Sequence, residues 1–173
     1  NISGCGMVNT QTILKDQIWS LLNTITDPEV PVLTITDLGI VRDVKINGDE
    51  IEVVITPTYT GCPAMDMITM NIKMELLANS FNNIKISSVL SPAWTTDWMS
   101  EEGKRKLKEY GIAPPNVKQQ VCNNYLFVPD EAVQCPHCNS HHTYCISEFG
   151  STACKALYQC KDCKEPFDYF KCH

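Results

Sequence analysis

The stretch GIVRDVKINGDEIEVVIT, residues 39–56, decides the reading of the N-terminal part of this chain. From Gly39 to Lys45 apolar and polar residues alternate, as they do along a strand with one buried face. Asn47-Gly48-Asp49 supplies a tight turn, and Ile51 to Thr56 is the returning strand. A β-hairpin is therefore the first fixed element, and its neighbours can be read outward from it.

Upstream, Leu14, Ile18, Leu21, Leu22 and Ile25 recur at helical spacing, with Asn9 or Thr10 placed to cap the helix. Asp27-Pro28 and Pro31 end it, since proline cannot continue a helix and restricts the residue before it. Downstream, Pro63 suits the first position of a second helix and puts Cys62 at or beside its N-cap. Met65, Ile68, Ile72 and Leu76 form its expected buried stripe, which Met67, Met70, Met74 and Leu77 widen. Thioethers fill irregular gaps, so these methionines are read as core and not as a metal or cofactor box. Ile84 to Leu90 alternates again as a third strand, and a charged helix runs from about Ser100 to Tyr110, ended by Gly111. The order helix–strand–strand–helix–strand predicts an α+β domain over residues 9–112, with helices on one face of a small sheet. Pro114-Pro115 opens a linker, residues 113–133.

Beyond the linker the character changes. Cys135-Pro-His-Cys138 and Cys160-Lys-Asp-Cys163 are separated by 21 residues, and each pair can wrap one side of a metal ion. Two such pairs complete a closed, tetrahedral thiolate site in which zinc is the default and iron the competitor. Residues 134–173 are accordingly expected to form a small four-cysteine zinc-ribbon domain, the metal supplying stability that so short a segment lacks. His137, His141 and His142 would have to displace a cysteine to serve as ligands, and are read as exposed loop residues. Cys154, Cys172 and His173 are left over, either as ordinary small or frayed residues or as a second, labile metal site. The aromatic tail Phe167-Asp-Tyr-Phe170 is read as an exposed binding surface.

Composition narrows the function classes. The chain has 173 residues, 43% of them hydrophobic and 20% charged, as in a soluble globular protein. It shows neither an apolar leader nor a stretch approaching a membrane span, so a cytoplasmic protein without a membrane partner is expected. A disulfide scaffold would explain ten cysteines in a short secreted chain, but clustering in CxxC pairs favours metal. The net charge is −6, and neither half is basic. Nucleic acid is therefore an unsuitable partner, because phosphate contacts supply most of such affinity.

Two residues are candidates for chemistry outside the ribbon. Cys62, in Thr58-Tyr-Thr-Gly-Cys-Pro63, stands at a helix start, where the dipole and unpaired amides favour thiolate; a buried N-cap is the alternative. Asp37 precedes the first strand, where it either caps a turn or takes part in function. No GxSxG elbow, P-loop, GxGxxG or HExxH occurs, and all four histidines lie at or beyond residue 137, so no Ser-His-Asp arrangement can be argued.

At these residues the chain resembles a known family. Asp27-Pro-Glu-Val-Pro31, Thr36-Asp-Leu-Gly-Ile-Val41, Thr56-Pro-Thr-Tyr-Thr-Gly-Cys-Pro63 and Ser91-Pro-Ala-Trp94 resemble the metal–sulfur cluster assembly domain of iron–sulfur maturation factors. Together with Ser147–Tyr158 and Glu165–His173, they are similar to PaaD, the accessory family of the bacterial phenylacetyl-CoA epoxidase system. The resemblance implies an accessory, non-catalytic role in aerobic phenylacetate catabolism, assembling or repairing an iron–sulfur or di-iron centre. Its implied partners are the oxygenase and reductase components, with a homodimer as a candidate association; a non-catalytic docking subunit is the alternative role. Carried over by position, Cys62 and Asp37 match the assembly domain's cysteine and aspartate, handling transient iron or a cluster. Cys135, Cys138, Cys160 and Cys163 match the ribbon's structural zinc ligands, and Cys154, Cys172 and His173 lie inside family-like blocks.

Overall fold

The computed structural model describes residues 10–115 and 133–171. Cys172, His173, Asn9 as a candidate helix cap and most of the sequence-derived linker lie outside the described residues. The N-terminal unit runs α1 (Thr10–Leu22), β1 (Val41–Asn47), β2 (Glu50–Ile55), α2 (Ala64–Ala78), β3 (Asn83–Ser88) and α3 (Glu101–Glu109). Its sheet has the order β1-β2-β3, with β1 antiparallel to β2 and β3 parallel to it. The hairpin turn at Gly48 takes a positive φ of 67°. The parallel pair requires a crossover, which α2 supplies.

One face of this sheet is covered and the other is wet. Val44, Ile51, Val53 and Ile55 pack with Ile18 and Leu22 of α1, with Ile68, Ile72 and Leu76 of α2 and with Leu107 of α3. On the opposite face Lys45, Glu52 and Lys85 stand side by side in register, and the Glu52 carboxylate lies 3.1 Å from Lys85 and 3.8 Å from Lys45. This is the α+β arrangement with helices on one face that the periodicity predicted.

The methionines of α2 depart from expectation. Met67, Met70, Met74 and Leu77 are 54%, 62%, 61% and 50% exposed. A helix turns about 100° per residue, so these positions fall on the side opposite Ala64, Ile68, Ile72 and Leu76. The second apolar stripe is therefore a separate, outward face and not a widening of the core.

The C-terminal unit is a β-ribbon of β5 (Thr143–Ser147), β6 (Lys155–Cys160) and β7 (Pro166–Phe170), joined at its edge by the short β4 (Ile112–Ala113) in the order β4-β7-β6-β5. Alternation along β7 sends Phe167 and Tyr169 into the ribbon's own small core and Phe170 into the core of the N-terminal unit. Phe170 meets Trp94 edge-on at 6.3 Å between ring centroids. The aromatic tail is thus interior, not an exposed binding surface: Phe167, Tyr169 and Phe170 are each 5% exposed or less. β4 alternates likewise, Ile112 facing the first core and Ala113 the second. The two units share their adjoining strands.

Candidate metal centre and thiol cavity

The ribbon brings Cys135, Cys138, Cys160 and Cys163 together, with all four sulfurs within 4.8 Å of one another. Cys135 and Cys163 are 3.7 Å apart, and Cys138 and Cys160 are 3.6 Å apart. Four thiolates held about 2.3 Å from one ion stand about 3.8 Å apart at the corners of a tetrahedron. The donor set therefore fits a single tetrahedral metal ion.

The local backbone explains the convergence. Each CxxC pair sits in a tight turn whose following residue is left-handed, Asn139 at φ 61° and Lys164 at φ 67°. The turns are closed by matching amide bonds, Cys135 N–H to Ser140 O at 2.9 Å and Cys160 N–H to Glu165 O at 3.1 Å. The amides two residues beyond Cys138 and Cys163, those of Ser140 and Glu165, donate to the sulfurs. The Cys163 amide does the same for Cys160, the main reason that thiol is held below its ordinary value. His137, His141 and His142 are exposed and outside the sulfur cluster, and His142 Nδ1 lies 3.3 Å from Asp162.

A second thiol group lies where the two units meet. A small cavity is lined by Cys62 and Thr58 from the segment before α2, by Asp27 and Glu29 from the turn after α1, and by Cys154 and Phe170 from the ribbon. Cys62 is half-buried, one residue before the Pro63 that caps α2, and its amide bonds to Tyr59 O at 3.3 Å. Its thiol shares a hydrogen bond with the Tyr59 side chain. Burial, that bond and the nearby Cys62, Glu29 and Cys154 all push the phenol above its ordinary value.

Cys154 is 4% exposed and reaches out of the ribbon into the first core. Its Sγ donates to Glu29 Oε2 at 3.3 Å and stands 3.1 Å from Thr152 Oγ1. Burial, and after it the Glu29 and Asp27 carboxylates, push this thiol up to about 12 against the lowering bond of Thr152. Asp27 is also buried, which raises its carboxyl, although its Oδ1 accepts the Glu29 and Val30 amides at 2.8 Å.

Asp37 does not line this cavity. It is 7% exposed, and its carboxylate accepts bonds from the Thr34 amide at 3.2 Å, Ser100 Oγ at 2.9 Å and Lys106 Nζ at 2.7 Å. Ser100 in turn accepts the Gly103 amide and caps α3. Burial alone would raise the Asp37 carboxyl, but Lys106 and the other donors outweigh it and hold the group below the ordinary carboxylate range. Two residues on, Gly39 takes a φ of +69°, and a Cβ there would lie 2.3 Å from the Trp98 carbonyl oxygen. The Thr-Asp-Leu-Gly segment thus clamps the start of β1 onto α3 and the turn before it.

Sequence reading singled out Cys62 and Cys154 but set them in different groups, and it assigned no site role to Asp27, Glu29 or Tyr59. The available signal was the Asp27-Pro-Glu-Val-Pro31 block, which carries two of those three residues. Cys145 is exposed on β5 and joins neither group.

Comparison with known proteins agrees with this two-unit build. Residues 15–80 match the family model of an iron–sulfur cluster assembly protein, and residues 120–171 match that of the PaaD zinc beta ribbon domain. The chain is 53% identical over 156 residues to an Escherichia coli (strain K12) protein provisionally named as a subunit of 1,2-phenylacetyl-CoA epoxidase, covering 90% of this chain and 92% of that one. It is 34% identical over 95 residues to an Fe-S protein maturation auxiliary factor of Porphyromonas gingivalis (strain ATCC BAA-308 / W83), covering 54% of this chain and 90% of that one. Among solved structures, the DUF59 domain of unknown function from Bacillus anthracis superposes with a TM-score of 0.53 at 28% identity, covering 57% of this chain and 97% of that one.

Proposed function

Since this chain belongs to the PaaD family, which includes that phenylacetyl-CoA epoxidase subunit, we propose that it is a non-catalytic maturation factor for a metal centre of such an epoxidase system. The observation that carries the reading is Cys62, a free, half-buried thiol opening on a cavity with two carboxylates, on a unit that matches the cluster-assembly family. Such a thiol can take up iron or a cluster and release it to a client. The 34% identity to an Fe-S maturation factor supports the same reading. The protein works in the cytoplasm, where free thiols persist.

In this reading Cys135, Cys138, Cys160 and Cys163 hold one zinc ion. Zinc offers a closed thiolate tetrahedron a charge without redox chemistry, so the ribbon acts as a rigid element. The clients are the oxygenase and reductase components.

The test is a strain lacking the gene, complemented with wild-type protein or with Cys62→Ser. Iron content of the oxygenase and the electron paramagnetic resonance signal of the reductase cluster are then measured. Wild type restores the client centre and Cys62→Ser does not; normal loading of both clients in the deletion strain would sink the proposal. A docking role without metal handling has its own support in the exposed face of Met67, Met70, Met74 and Leu77. Under that role epoxidase assembly fails in the deletion strain while each component keeps its full metal content.

A further inference from the structure

We propose that the ribbon gates Cys62: docked, its Phe170 and Cys154 wall in the thiol, and undocking or loss of the ribbon's metal opens the thiol to solvent. That the thiol handles iron or a cluster rests on the maturation reading; that the ribbon gates it does not.

Three observations carry the gate. First, the cavity beside Cys62 takes its walls from both units: Thr58, Met65 and Ile68 on one side, Cys154 and Phe170 of the ribbon on another. Phe170 is 2% exposed and Cys154 4%, both inside the N-terminal core against which Cys62 and Tyr59 pack. Cys62 itself follows the exposed pair Thr60-Gly61 and is half-buried, so the ribbon wall is cover that its own segment does not supply. Second, the two ribbon residues are tied to each other. Lys155, next to Cys154, pairs with Phe170 across β6 and β7, and the Lys171 amide donates to the Cys154 carbonyl at 3.0 Å. The Cys154 thiol reaches Glu29 Oε2 at 3.3 Å and latches this corner to the turn after α1. A thiol is a weak donor, so the hold is chiefly apolar: Phe170 against Trp94, and Ile112 in the same core. Third, the corner is joined to the metal centre through one strand. Phe167 and Tyr169 share the ribbon core with Cys135 and Cys160, while Phe170 projects from the other face of β7. So short a ribbon folds with its metal, and β7 holds Phe170 in place only while the four cysteines hold their ion.

Docked and undocked ribbon are the two states, and the four-sulfur centre biases them without touching the cavity. Undocking wets Ile40 and Ile68 as well as Phe170, a cost that keeps the docked state favoured. A thiol shielded in this way reacts and ligates slowly, whereas an exposed one meets oxidants, metal ions and client surfaces directly. A client that draws the ribbon away thus releases the thiol at the moment of contact. The ribbon then has a second task besides rigidity, because its docking decides when Cys62 is open.

The test uses full-length protein purified anaerobically with its ribbon metal retained, alkylated with iodoacetamide and read cysteine by cysteine by mass spectrometry. The exposed Cys145 is the internal reference. Phe170→Ala keeps its metal and is alkylated at Cys62 at least roughly tenfold faster than wild type, as loss of a buried aromatic's packing allows. Metal-stripped wild type shows the same rise, and Zn2+ added before the reagent reverses it. Leu76→Ala removes a fully buried side chain at the far end of α2, outside the cavity, and leaves the Cys62 rate as in wild type. If the Cys62 rate in Phe170→Ala or in metal-stripped protein equals that of wild type, the gate is wrong. A rise in Leu76→Ala as large as in Phe170→Ala overturns it too, since general loosening then explains both. Should Phe170→Ala fail to fold, seen as loss of the amide signals of β1, β2 and β3, the metal-stripped wild type decides alone. A gated Cys62 together with normal client loading in the deletion strain would remove the maturation reading and leave the gate. Failure of Cys62→Ser to support maturation, with wild-type alkylation rates in Phe170→Ala and metal-stripped protein, would do the reverse.

Discussion

The ribbon gathers its sulfurs from two short turns that carry their own amide bonds, whereas the cavity at Cys62 collects its groups from three distant segments brought together by the docking of the two units. In the first case Cys135 and Cys163, or Cys138 and Cys160, come within 3.7 Å of each other because each turn repeats one backbone conformation. In the second, Cys154 meets Glu29 because Phe170 and Ile112 have docked the ribbon onto the N-terminal unit. A local site survives changes elsewhere in the molecule. An assembled site disappears with the interface that assembles it.

The largest expected effect tests the local half of that comparison. Structural zinc in small domains contributes apparent binding free energies of about 10–16 kcal/mol to folding. Stripping the metal with a strong chelator, or Cys160→Ser, should therefore unfold β5, β6 and β7 while the β1-β2-β3 unit keeps its fold. Two-dimensional NMR reads this directly, as collapse of the amide signals of residues 112–113 and 133–171 while those of β1, β2 and β3 persist. A ribbon that stays folded without metal would break the comparison.

Next comes the interface. Phe170→Ala removes an aromatic side chain that is 2% exposed, for an expected loss of about 3–5 kcal/mol in global stability. The zinc content should be unchanged, since Phe167 and Tyr169 face the ribbon core that supports the knuckles and Phe170 faces the other way. Thermal unfolding monitored beside zinc stoichiometry checks both halves of this statement. Equal losses of zinc and of stability would show that the two sites are not independently built.

A smaller, pH-dependent effect is expected at Asp37. Its folded carboxyl lies below the ordinary range, so its contribution to stability is present above the unfolded carboxylate pKa of about 3.9 and is lost as pH falls through the lower, folded value. Asp37→Asn weakens the charge-assisted bond to Lys106 and should cost about 1.5–3 kcal/mol at pH 7, and much less in acid where the wild type loses it too. Urea midpoints at neutral and acid pH measure the difference. If Cys62 reactivity towards a thiol reagent is the same in this variant, Asp37 acts on the fold and not on the cavity.

How much of this was legible follows the same division between local and assembled features. The hairpin at Asn47-Gly48, the strand periods and the CxxC spacing are local, and each was read with its element or cluster intact. β5 to β7 were not resolved as strands from sequence: β5 is mostly exposed, β6 is buried only towards its ends, and β7 splits its burial between the two cores, so none shows a single alternating face. For the same reason the aromatic tail looked exposed: nothing in Phe-Asp-Tyr-Phe says that a second core waits on the other side of β7. Glu29 and Cys154 are 125 residues apart, and no spacing rule connects them. The methionines failed differently. Ile68, Ile72 and Leu76 were read correctly as the buried stripe, and the miss was to join to it an apolar stripe that the turn of about 100° per residue places on the other side.

That outward face gives the smallest effect on stability and the sharpest contrast with the buried stripe beside it. Met70→Lys and Met74→Lys, at positions more than 60% exposed, should each change unfolding free energy by less than about 0.5 kcal/mol. Ile72→Ala, fully buried on the same helix, should cost about 2–5 kcal/mol. The functional expectation runs the other way. If α2 presents these residues to an epoxidase component, the paired Met70→Lys, Met74→Lys variant loses co-purification with that component while its ribbon metal content stays as in wild type. Retained co-purification would take the outward methionines out of the docking reading, and would leave the cavity and the ribbon as the features that distinguish this chain.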